Sequence, residues 1–194
     1  MFEHFLSYVT QYSKTSLSDE HVAKLRSAFL PRPLRKRQYF VQEGDVCKHM
    51  GFIVKGAMRQ YSVDDKGVEY IVNLSIENWW AGDRESWVML TPSLYNIEAW
   101  EDTEMLTITR ADFLELLLHV PVLHETIKSM DEKHAIATQR RLTASISLPA
   151  EQRYAELEKT YPQFLQRFPQ HIIASYLGIT KETLSRVRHR LSKR

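Results

Sequence analysis

The sequence predicts an α+β fold: an antiparallel β-roll of the jelly-roll kind, then one long helix, then a C-terminal pair of short helices joined by a turn. Three observations carry this reading. Short β-rich runs separated by turn residues fill about residues 34–108, an unbroken helical run extends from Pro121 to about Ile146, and the stretch "IIASYLGITKETLSRVRHRL" sets one glycine among regularly spaced aliphatics. The expected organisation is a β-roll unit with flanking helices over 1–120, a long helix and hinge over 121–147, and a helical unit over 148–194.

Taken in order, "SDEHVAKLRSAF" begins with a Ser cap and two acids, and Val22, Leu25 and Phe29 follow at helical spacing, so 18–29 reads as a short helix. The two prolines of "LPRPL" interrupt it. Alternation is clear over 51–56 and again over 69–74, while Gly44 and Gly67 stand where tight turns need positive φ. The basic cluster "LRKR" at 34–37 reads as a solvated edge. Helix resumes at "RADFLELLLHV", and Pro121 is placed to open the next helix, where its missing N–H costs nothing. The run to Ile146 corresponds to roughly 39 Å of helix at 1.5 Å per residue. Along it Leu123, Ile127, Met130, His134, Ala137, Arg141 and Ala144 recur at alternating steps of four and three, the spacing of a helix–helix seam. A small β unit cannot cover so long a helix, so a second copy of the chain is expected along the seam. Pro149 then opens a helix with Tyr154, Leu157 and Tyr161 on one face, and Pro162 and Pro169 bracket its exit.

Composition narrows the function. The chain is 43% apolar, enough for real cores, yet no run approaches 18 apolar residues and the opening is unlike a signal peptide, so a cytoplasmic, non-membrane address is expected. Cys47 is the single cysteine, which rules out an internal disulfide, a CxxC pair and a four-cysteine cluster. His49 has no HxH companion, and neither a Ser-His-Asp arrangement nor a carboxylate pair can be assembled, so neither an enzyme nor a metal site is expected. The charge is asymmetric. Residues 1–139 hold 15 Lys+Arg against 20 Asp+Glu and residues 140–194 hold 11 against 4, which assigns a nucleic-acid role to the C-terminal end.

With Gln170 as the first position of a twenty-residue helix-turn-helix unit, Ile173, Ala174, Leu177, Gly178, Ile179, Leu184 and Val187 all fall where that unit needs them. Ala174 must be small because the second helix crosses close to it, and Gly178 supplies the left-handed residue that ends the first helix. Thr180 is placed to cap the second helix, with Glu182 in its first turn. At 100° per residue, Leu184, Val187 and Leu191 share one side, while Glu182, Ser185, Arg186 and His189 stand opposite, flanked by Lys181 and Arg190. Arg can bond guanine O6 and N7, Glu can accept from cytosine N4, and flanking cations reach phosphates, which is the composition of a major-groove helix.

These features, with "EGD" at 43–45, "GFIVKGAMRQY" at 51–61, "AWEDTEML" at 99–106 and "GITKETLSRV" at 178–187, resemble the Crp/Fnr family of bacterial transcription regulators over nearly the whole chain. The resemblance implies a cyclic-nucleotide-binding-like roll, a homodimer, sequence-specific binding of double-stranded DNA and contact with RNA polymerase. It puts Lys181, Glu182, Thr183, Ser185 and Arg186 at the family's recognition positions. The family's phosphate cassette, Gly-Glu followed at eleven residues by Arg and Ser or Thr, corresponds here to Gly82-Asp83, then Arg84, and Ser93-Leu94. The guanidinium is missing from its place. A cyclic phosphate would lose its charge-assisted bonds, so cyclic AMP is not expected in the usual manner, and the existence and identity of another effector stay open. The four tryptophans near the cassette read as packed core rather than as an aromatic pocket. The family's terminal β wing is expected to be absent. The other reading is a ligand-binding signalling module whose helical tail contacts protein.

Overall fold

The computed structural model describes residues 1–191. The expectation about a terminal wing lies outside the described residues.

Two helices precede the roll. In α1 (Phe2–Gln11), Phe2, Phe5, Leu6 and Val9 recur at helical spacing, and Phe5 and Val9 are wholly buried. This helix is not among the elements expected above, although its periodicity is plain. In α2 (Asp19–Ala28) the expected Ser18 cap forms, its hydroxyl accepting from the His21 N–H at 3.2 Å.

"LPRPL" is a strand rather than a break. β1 (Leu30–Leu34) pairs antiparallel with β8 (Thr103–Thr109) at the edge of its sheet. Pro31 and Pro33 are two residues apart, so both missing N–H groups fall on the side that no strand needs. The strands between are β2 (Tyr39–Val41), β3 (His49–Lys55), β4 (Met58–Val63), β5 (Glu69–Ser75), β6 (Trp80–Ala81) and β7 (Asn96–Ala99), with the short helix α3 (Arg84–Met89) between β6 and β7. They form two antiparallel sheets, β1-β8-β3-β6 and β2-β7-β4-β5, the expected roll. Phe40, Ile53, Met58, Ile97 and Met105 are among its buried residues. α1 adds an aromatic layer in which Phe5 lies 4.4 Å from Phe29 and 5.1 Å from Phe52.

α4 (Arg110–His119) leads into α5 (Pro121–Ser147), which has Pro121 at its start. The two halves of α5 differ. Val122, Leu123 and Thr126 are wholly buried, and Ile127 and Met130 pack against the same core. The seam reading placed Leu123 toward a partner. Instead it closes the chain's own core, because α1 and α4 cross that end of the helix. His134 and Ala137 are exposed, as are Ile136, Leu142 and Ile146, while Arg141 turns back to donate to the Val72 carbonyl and to cover the Tyr176 ring.

After Leu148 and Pro149 come α6 (Ala150–Thr160), α7 (Pro162–Arg167), α8 (Gln170–Tyr176) and α9 (Lys181–Leu191). Their core is continuous with the roll: Tyr61, Ile71, Leu74 and Ile76 bury against Phe164, Phe168, Ile172 and their neighbours. α8 lies along edge strand β5, where the Ser175 hydroxyl accepts from the Ile71 N–H at 2.9 Å and donates to the Glu69 carbonyl, covering an otherwise open edge. The tryptophans divide. Trp80 and Trp87 belong to the roll's core, but Trp79 packs on Tyr161 and Phe164, and Trp100 packs on Phe168 and donates to the Arg167 carbonyl at 3.1 Å.

Candidate nucleic-acid interface

The turn between α8 and α9 is built from backbone geometry. Gly178 has φ +64°; its N–H bonds the Ser175 carbonyl, and the Ile179 N–H reaches the Ala174 carbonyl, each at 3.0 Å. This 5→2 and 6→1 pair satisfies carbonyls that the end of α8 would otherwise leave open. Arg153 on α6 fixes the turn from outside by donating to the Leu177 carbonyl at 2.7 Å.

Ile173, Ala174, Leu177, Leu184 and Val187 are buried between the two helices. The Thr180 hydroxyl accepts from the Thr183 N–H at 3.2 Å and caps α9. The N–H of Glu182 itself, then the Thr180 hydroxyl and the charges of Lys181 and Arg186, hold the Glu182 carboxyl below the usual carboxylate range. With Leu184 and Val187 facing inward, Lys181, Glu182, Ser185, Arg186 and His189 share the exposed side. Arg186 donates one bond to the Thr183 hydroxyl at 3.2 Å, which props its guanidinium above the helix and leaves further donors. Arg190, expected as a flanking cation, pairs at 2.5 Å with Glu151 on α6.

The cassette positions divide. Gly82, Asp83 and Ser93 come together, but Asp83 is engaged within the protein: it caps α3 by accepting from the Glu85 and Ser86 N–H groups, and it accepts from the Ser93 hydroxyl at 2.7 Å. Arg84 points away and makes a two-pronged pair with Asp131 on α5, each bond 2.8 Å, while Leu94 is exposed. Arg59, another cation inside the roll, is held by Glu98 and Glu69. A buried carboxylate already accepting three hydrogen bonds, with no guanidinium paired to it, does not fit a cyclic phosphate.

Residues 31–119 match the family model described as the cyclic nucleotide-binding domain. Among solved structures the chain is similar to FixK2 from Bradyrhizobium japonicum, with 17% identity, 85% of each chain covered and a TM-score of 0.70. It is similar also to a CooA mutant from Carboxydothermus hydrogenoformans, with 16% identity over 97% of this chain and 84% of that one, TM-score 0.70. A third is CLP of Xanthomonas campestris, with 14% identity over 91% and 92%, TM-score 0.68. The fold is that of the Crp/Fnr regulators. No curated protein matches in sequence. Within this fold, α9 is an exposed cationic helix, and residues 31–119 form the roll that holds Asp83 and Ser93. Among the described residues no helix is long and apolar enough to cross a membrane.

Sequence reasoning did not find Arg153, Glu151 or Arg167 as supports of the helix pair. Arg167 pairs with Glu77 at 2.5 Å and Glu101 at 2.6 Å, tying α7 to the roll. Each of these residues is defined by a partner remote in sequence, so no local pattern marks it.

Proposed function

We propose that the chain is a homodimeric, sequence-specific DNA-binding transcription regulator in which α9 enters the major groove. The observation that carries this reading is the exposed row Lys181, Glu182, Ser185, Arg186 and His189 on a helix anchored from behind by buried Leu184 and Val187. Thr180 and Thr183 position the start of the helix, and Arg190 faces the phosphate flank from its pair with Glu151. The exposed half of α5, including His134, Ala137, Leu142 and Ile146, is the surface for a second copy, which would set two α9 helices about 34 Å apart. RNA polymerase is the partner that such a regulator would address. One structural relative, CLP, is described as a c-di-GMP-responsive global regulator of virulence gene expression. An effector in this chain acts through the roll and the Leu148–Pro149 break after α5.

The test is selection of bound fragments from random duplex DNA, followed by affinity against salt. A pseudo-palindromic site and a log–log salt slope of about −7, for roughly eight neutralised phosphates, are expected. A monomer indifferent to duplex DNA at low salt would refute the reading.

A further inference from the structure

Away from α9 and beside the cassette loop, the roll carries a groove of about 440 Å³ near the start of β3. Three basic residues line it: Arg32 from β1, Lys48, and His49 at the start of β3. Phe40, Val41 and Val46 give it an apolar floor, and Asp45 adds one carboxylate. Elsewhere in the roll the cations that are locked in place are neutralised: Arg59 by Glu69 and Glu98, Arg84 by Asp131. Among the described residues no carboxylate stands within ion-pair distance of Arg32, Lys48 or His49. The Arg32 guanidinium instead lies over the Phe40 ring, 4.9 Å from its centroid, a contact that orients the group without using its N–H donors.

We infer that this groove binds a small organic anion that also bears hydroxyls, a sugar phosphate or a hydroxy acid. Arg32 and Lys48 engage the phosphate or carboxylate, and Asp45 accepts from hydroxyls. The volume lies in the range of small-molecule sites, and the apolar floor covers the ligand body. The groove's loop is fastened to the cassette loop: the Gly44 N–H bonds the Ser93 carbonyl, the Ser93 N–H bonds the Asp45 carbonyl, each at 2.8 Å, and Val46 bridges to Pro92. The cassette is in turn tied to α5 through Arg84 and Asp131. Occupancy of the groove thus has a continuous bonded route to the long helix. This site goes beyond the DNA-binding reading and does not rest on it.

The test uses the full chain without DNA, titrated calorimetrically at constant ionic strength with glycerol 3-phosphate, glucose 6-phosphate and citrate, with glycerol and glucose as neutral counterparts. Saturable binding of at least one anion and none of the neutral molecules is expected, and the responding anion fixes the group recognised. R32Q, at a half-buried position, and K48Q, at an exposed one, should each weaken binding about tenfold, the scale of one charge-assisted bond. K66Q, at an exposed turn outside the groove and off this route, should leave it unchanged. Burial and the Arg32 and Lys48 charges push the His49 imidazole down, against a weaker pull from Asp112, so a bound anion beside it should raise its titration, read by NMR of the ring. Binding of none of the three anions, equal binding of the neutral molecules, or affinity within twofold in R32Q and K48Q would overturn the site.

Discussion

Arg186 is the residue on which the DNA reading is most exposed to test. Its guanidinium is solvent-facing and spends one donor on Thr183, so it can still present two N–H groups to a base edge. Arg186→Ala should cost on the order of 1–3 kcal/mol in binding and relax preference at one base pair, measured by competition among single-base operator variants. Uniform loss on every sequence would make Arg186 a phosphate contact only. At this scale the α9 face was legible because helical geometry projects residues at known angles. The fate of Arg190 was not: its carboxylate partner, Glu151, lies 39 positions away. The cassette shows both sides. The missing guanidinium is visible as Ser93, but only the fold reveals that Arg84 is drawn off to Asp131.

At the scale of elements, the turn after α8 rests on one backbone conformation. A methyl group at Gly178 would meet only the Arg153 guanidinium, at an ordinary 3.6 Å, so the cost of substitution is conformational. Gly178→Ala should therefore lower stability by roughly 1–2 kcal/mol, the left-handed penalty of an L residue, read from urea unfolding. A neutral result would mean that the turn relaxes. The elements with long or steric signatures were readable: α5 runs Pro121–Ser147 against an expected run from Pro121 to about Ile146, and Ile173, Leu177, Leu184 and Val187 of the helix pair are buried as their spacing requires, with Ile179 and Leu191 partly so. Short elements were not. α3 and α7 have six residues each, less than two helical turns and so too few for the period to repeat, and β1 is masked by its prolines.

For the molecule as a whole, the helical unit is docked on the roll by an apolar layer and one ionic clamp. Arg167, about a fifth exposed, bonds Glu101 and Glu77, which raises its own basicity; burial opposes, but Arg167 and the nearby N–H groups hold the Glu77 carboxyl below the usual range. Arg167→Met would strand two carboxylates beside each other. A loss of about 1–3 kcal/mol is expected, part of it recovered when Glu77→Gln and Glu101→Gln are added, because the three groups act as one network. Strict additivity in urea denaturation would show that the clamp is not cooperative. The docking also bears on mechanism: any movement of α9 relative to the roll must either carry this interface with it or break it.

Chain order alone settled the features that depend on neighbours a few residues apart: strand alternation, the long helix, the steric register of the helix pair and the basic C-terminal third. Folding settled which charges are neutralised, which turns of α5 are covered by α1 and α4, and why two tryptophans serve the roll while two serve the helical unit. The division has a physical cause. Periodicity is written locally, whereas ion pairs such as Arg167–Glu77, 90 positions apart, and a core shared by β5 and α8 exist only after the chain has brought distant segments together.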